Sequence, residues 1–255
     1  MLPRLPPRPP LDGTPRIAVL SQREPMRWLI AGWHDFRRCP AIGLFYGGCF
    51  AAMGWLLFLA FLYSPAFLSM LFVGFVIVAP VMCLGLYRAS QRLERGEKPD
   101  FAETLFAWEH CAGAVALFAV AMLLLVFLYA RVTLTLFTQH FHSLDDVPLS
   151  VSDWLQLRHL VFVAFWCAAT LAFLLVAFAL NVVSVPLMLD RDVDARTAAI
   201  TSLRACAQRP SVMLRWAIMI GLLVLMSMGT ALVALVIVGP VLGHASWHAY
   251  RAVLE

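Results

Sequence analysis

Residues 160–189 read LVFVAFWCAATLAFLLVAFALNVVSVPLML, a run without a single Asp, Glu, Lys, Arg or His. A hydrocarbon core of about 30 Å is crossed by roughly 20 apolar residues in a helix, so this stretch is long enough to span a bilayer. A surface helix of a soluble protein would carry a polar face, and this one has none. Similar runs recur at about Ile42–Tyr63, Ala66–Tyr87 and Cys111–Phe137. The stretch Met213–Tyr250 holds two more if the chain turns near Met228-Gly229-Thr230. The expected fold is therefore all-α, a polytopic membrane helix bundle of six transmembrane helices.

Composition agrees. Hydrophobic residues make up 62% of the 255, charged residues 13%, and the mean hydropathy is +0.83. Soluble domains carry about 25% charged residues, so much of this surface faces something other than water. The net charge of +4 is too small to point to nucleic acid. The six cysteines (Cys39, Cys49, Cys83, Cys111, Cys167, Cys206) are scattered singly, a spacing that fits neither a disulfide framework nor a zinc site. Residues 1–25, rich in Pro and Arg, are expected to form a disordered cytoplasmic tail ahead of a transmembrane domain over 26–255.

Charge placement orients the spans. Of the 19 Lys and Arg residues, 17 fall in the N-terminal segment, in the loops after the second and fourth spans, and at the C-terminus. Only Arg131 and Arg158 fall on the other side. Positive charge accumulates on the cytoplasmic side, so both termini are expected in the cytoplasm and the number of spans is expected to be even.

The same phrase occurs three times along the chain: an amphipathic segment, a span, and a returning span with a proline toward its cytoplasmic end. The prolines are Pro80, Pro186 and Pro240, each a helix-kink candidate. Arg38-Cys39-Pro40 and Gln208-Arg209-Pro210 precede corresponding outward spans. Three hairpins in parallel repeat, each led by an interfacial helix, are expected. In the first such helix, Met26, Leu29, Ile30, Trp33 and Phe36 share an apolar face, with Arg27, His34 and Arg38 opposite. That pattern suits the lipid bilayer surface and its anionic inner-leaflet lipids. Asp100 with Glu103 has the form of a capping box, and Thr197–Arg209 repeats the amphipathic pattern more weakly. Gly43, Gly47 and Ala51 form a small-residue stripe for close helix packing.

Four motifs carry a family resemblance: Gly32-Trp33-His34-Asp35 with Pro40 and Tyr46-Gly47; Leu86-Tyr87-Arg88 to Arg92-Leu93-Glu94-Arg95-Gly96; Pro186 to Asp190-Arg191-Asp192-Val193-Asp194; and Gly239-Pro240-Val241-Leu242-Gly243-His244 to Trp247-His248. Over about residues 26–255 the chain resembles a widespread bacterial family of uncharacterised integral membrane proteins, some labelled cytochrome c oxidase subunits. The resemblance implies a multi-pass protein of the bacterial inner membrane and no particular activity. The chain lacks the ligand set of an oxidase catalytic subunit.

Residues that carry chemistry are few. His244 and His248, at i and i+4, share a helix face and are the candidate metal ligands, for a metal ion or a haem. His34 and His110, beside Asp35 and Glu109, are expected at the same depth. Asn181 and Ser184 are the candidate polar contacts for a solute inside the fourth span. His140, His142 and His159 stand near Asp145, Asp146 and Asp153 in an external acidic loop. No phosphate-binding, metalloprotease or nucleophile-elbow motif is present. The favoured reading is a non-enzymatic scaffold or accessory factor that meets other membrane proteins, with no bound cofactor. A carrier of a small or amphipathic solute, and a haem- or metal-handling protein of the respiratory chain, are the alternatives.

Overall fold

The computed structural model describes residues 16–63, 73–75, 79–141, 151–154, 156–191 and 193–254. Among these the protein is helical throughout: α1 Glu24–Arg38, α2 Pro40–Tyr63, α3 Leu84–Glu94, α4 Phe101–Leu105, α5 Ala112–His140, α6 Val151–Trp154, α7 Leu157–Asp190, α8 Ala195–Gln208, α9 Pro210–Gly229 and α10 Leu235–Val253. Three segments, Phe101–His140, Leu157–Asp190 and Pro210–Gly229, are long and apolar enough to cross a membrane. The pair Glu24–Arg38 and Pro40–Leu56, bent by 110°, makes a fourth if taken as one span. Most of the expected second span lies outside the described residues. Its described end carries Pro80 in a helical stretch over 79–82, followed by α3, which runs on to Glu94.

Local chemistry explains the breaks. Prolines at the first positions of α2 and α9 cannot continue a preceding helix, because they lack the N–H and restrict the residue before them. The hinge residues adopt nearly the same backbone geometry, φ −134°, ψ 58° at Cys39 and φ −129°, ψ 52° at Arg209. Between α9 and α10 the chain turns over 230–234, with Ala231 and Leu232 at positive φ (49° and 66°). Asp194 caps α8 by accepting from the Thr197 backbone N–H. The Asp100–Glu103 capping box does not form: Asp100 makes no side-chain cap, and Glu103 lies 3.4 Å from Arg92. α4 accordingly lasts only five residues before a 3-10 turn at Glu109–Cys111.

The core lies at one end of the bundle. α3, the last third of α7 (residues 181–190) and the second half of α10 are almost wholly buried, and these three helices pack on one another. Around them lie three further helices. α1 packs on α10, α8 on α7, and α4 on α3. In addition, α9 meets α1 through an edge-to-face pair of Trp28 and Trp216, α5 meets α8, and α2 meets α4 through Phe45 and Phe101. Away from this end, α5, α7 and α9 expose Leu124, Phe127, Phe165 and Met226, each more than 60% accessible.

Both described chain ends sit together. Ile17 pairs with Leu254 as an antiparallel bridge, Ala18 N–H donates to the Val253 carbonyl, and Arg209 Nε donates to the Ala18 carbonyl. Ile17 and Ala18, in the segment that composition assigns to a tail, thus pair through their backbone with the end of α10. Residues 1–15 lie outside the described residues.

The apolar stripe of α1 also divides differently from expectation. Trp28 and Phe36 turn inward with Gly32 and Asp35, while Met26, Ile30 and Trp33 stay exposed. Gly32 sits against the α10 backbone, where a Cβ would lie 2.6 Å from Val241 O and Ala245 N. Gly47 meets the Val236 carbonyl, and Phe36 lies over Gly43, so this small-residue stripe is internal to the bundle. Gly32→Ala is expected to push α1 off α10 and to cost about 1–3 kcal/mol of overpacking. Thermal unfolding in detergent should show a lowered Tm for Gly32→Ala and an unchanged Tm for Gly113→Ala, where a Cβ meets open space.

Candidate functional site

α3 continues an apolar segment but carries a polar row of Arg88, Ser90, Gln91 and Glu94, spaced so that successive side chains reach different neighbours. Ser90 Oγ donates to Asp35 Oδ2 on α1 at 2.8 Å. His248 Nε2, from α10, donates to the same carboxylate oxygen at 2.8 Å. Because the one hydroxyl proton of Ser90 points at Asp35, its 2.7 Å contact with His244 must be a bond donated by His244 Nδ1–H. The other ring nitrogen of His244 then carries the lone pair, and it faces Cys39 Sγ at 3.9 Å.

Burial alone would raise the Asp35 carboxyl. The hydrogen bonds from His248 and Ser90, with the attraction of the His248 imidazole, outweigh it and hold the carboxyl below its ordinary value of 3.8. Burial and the neighbouring Asp35 carboxylate push the Cys39 thiol up to about 11, so it is a protonated donor rather than a nucleophile.

A second carboxylate is enclosed beside the first. Asp190, 1% exposed at the end of α7, accepts from Gln91 Nε2 at 2.9 Å and from the Tyr250 hydroxyl at 2.8 Å. Arg88 donates to Gln91 Oε1 at 2.7 Å, which orients the amide so that its NH2 faces Asp190. Glu94 takes Arg251 Nη2 at 2.9 Å and accepts from Trp247 Nε1 at 3.2 Å. One short helix therefore bonds to α1, α7 and α10 at once.

The two candidate metal ligands are brought into one cluster, but each ring is turned to a different partner. Among the described residues no three His, Cys, Asp or Glu side chains converge to hold a metal. His34 is exposed on α1, and His110 lies in the 3-10 turn beside Arg88 and Glu109. Asn181 donates to the Ala177 carbonyl of its own helix at 2.9 Å and touches Met122 Sδ, with its Oδ1 unpaired. Ser184 bonds back to the Leu180 carbonyl. Both side chains bond back to α7, and Asn181 also reaches α5 through Met122. Pro186 and Pro240 lie inside α7 and α10, so with Pro80 the three prolines sit on or just before the three central helices. At the opposite end, His140 and His159 share a 2.8 Å bond within a packed group of rings that includes Phe137, Phe162 and Trp166. His142, Asp145 and Asp146 lie outside the described residues.

Sequence reasoning missed Ser90, Gln91, Asp190 and Tyr250. A signal was available: polar residues three and four apart on the continuation of an apolar span must be shielded from lipid, and so must find partners.

Asp35→Asn is expected to remove about 1–3 kcal/mol of stability at neutral pH, because the charge that two donors are arranged around is lost. A carboxyl held lower when folded than when unfolded stabilises above its unfolded value, and that contribution disappears as pH falls through the lower folded value. Unfolding of the wild type in detergent should therefore steepen below about pH 4, and the Asn variant should lose part of that slope.

A family model described as predicted integral membrane protein (DUF2189) matches residues 67–190. No curated protein and no solved structure matches the chain. The match takes in α3 and the whole of α7 with Asp190, while Asp35, His244 and His248 lie beyond it. The oxidase label has no counterpart in that match. Through residues 67–190 the chain carries the DUF2189 pattern, that of an uncharacterised family of predicted integral membrane proteins.

Proposed function

We propose that this chain is a non-enzymatic scaffold or accessory factor of the bacterial inner membrane, which engages other membrane proteins through its outward helices. The observation that carries the reading is the division of the molecule. Buried charge and polarity close on one another at the end that holds both described chain ends, whereas α5 and α7 extend away from it with their apolar sides uncovered. At 1.5 Å per residue α7 is about 50 Å long, more than the roughly 30 Å hydrocarbon layer. Its exposed first two-thirds would then cross the bilayer, and its buried end would stand in the cytoplasmic headgroup region.

In this reading the chain crosses six times as three hairpins with both termini in the cytoplasm. The pairing of Ile17 with Leu254 supports an even number of crossings. The matched hinges at Cys39 and Arg209 support the repeat. A solute carrier would need Asn181 and Ser184 turned to a path through the bundle, and their bonds to their own helix favour the scaffold.

A photo-crosslinking residue at Phe165 or Leu124, irradiated in native membranes, tests this directly. Discrete protein adducts are expected from both positions and not from the buried Met213. Adducts of lipid alone at both positions would contradict the scaffold reading.

A further inference from the structure

α1 has three faces rather than two. One is buried, on α10 through Gly32 and Asp35 and on α9 through Trp28. The second carries Met26, Ile30 and Trp33 at i, i+4 and i+7, all exposed, Ile30 at 61%. The third carries Arg27, His34 and Arg38, also exposed. Next to the third face lies an open groove of about 490 Å³ between α1, the end of α3 and α10, lined by Arg27, Ile30, His34, Arg38, Leu93 and His248.

The charges around this groove do not cancel. Its two carboxylates are already engaged, Asp35 by Ser90 and His248 and Glu94 by Arg251 and Trp247. Arg27 pairs with Glu24 at 2.8 Å. Among the described residues Arg38 and His34 pair with no anion, so a guanidinium and an imidazole line the groove together with the apolar side chains of Ile30 and Leu93. A free inorganic anion would use the first feature and waste the second. An amphiphile with a phosphate head and an apolar body would use both.

We infer that this groove binds the headgroup of an anionic phospholipid, its phosphate held by Arg38 and His34, its glycerol and upper acyl chain along Ile30 and Leu93, with Trp33 in the leaflet alongside. The inference rests on the reading of α1 as a helix of the cytoplasmic leaflet. Binding in detergent does not depend on topology, so its failure and the failure of that reading are separable.

The test is native mass spectrometry of the full chain in a neutral detergent. Phosphatidylglycerol or phosphatidylcholine of matched acyl chains is added, and retained adducts are counted. Phosphatidylglycerol adducts should exceed phosphatidylcholine adducts. They should fall roughly tenfold in the Arg38→Gln, His34→Gln double variant, the equivalent of about one charge-assisted hydrogen bond, and persist in Arg204→Gln on the exposed side of α8. Arg38→Gln alone, at the exposed end of α1, serves if the double variant unfolds and should also lose adducts. Equal retention of the two lipids, or undiminished phosphatidylglycerol binding in the folded variants, overturns the inference. Complete displacement of the lipid by excess inorganic phosphate overturns the lipid as the source of the anion.

Discussion

Two carboxylates, Asp35 and Asp190, are buried in a protein that is otherwise mostly hydrocarbon, and a buried charge is tolerated only where hydrogen-bond donors surround it. Two of the donors come from one short helix, α3. Ser90 serves Asp35, Gln91 serves Asp190, and Arg88 behind Gln91 fixes which end of the amide points forward. Because Asp35 belongs to α1 and Asp190 to α7, satisfying both carboxylates also fixes where α1 and α7 stand relative to α3. His248 and Tyr250 add α10 to the same arrangement. In lipid, helices are not driven together by burial of apolar surface, so such bonds and close packing carry the association.

Close packing does the complementary part. Gly32 and Gly47 bring α1 and α2 against the α10 backbone, at distances that a methyl group would prevent. The proline-led start of α2 follows a bend of 110° from α1, and the start of α9 shares the same hinge geometry. The outcome is a dense polar end and a loose apolar one. A membrane accounts for both, since the first needs shielding from lipid and the second needs lipid or an apolar partner around it.

Much of the fold was readable from the pattern of residues. The apolar run at 160–189 falls within α7, the run at 111–137 corresponds to α5, and the turn expected near Gly229 separates α9 from α10. What was not readable involves contacts between distant segments. His244 and His248 stand one turn apart and read as a pair of ligands, yet the structure gives them separate partners, Ser90 on α3 and Asp35 on α1. The inward turn of Phe36 depends on Gly43 across the hinge, which helix periodicity within α1 alone does not include. The antiparallel pairing of Ile17 with Leu254 joins the two ends of the chain, beyond the reach of any local signal.

The central claim is that α3 positions its neighbours through buried bonds to carboxylates, and the contact between Gln91 and Asp190 isolates that claim. A double-mutant cycle with Gln91→Leu and Asp190→Leu, read by equilibrium unfolding in detergent, measures their interaction free energy. This account predicts a coupling of about 1 kcal/mol or more, with the double variant less damaged than the sum of the single ones. Strict additivity would mean that the bond does not hold α3 and α7 together, and would contradict it.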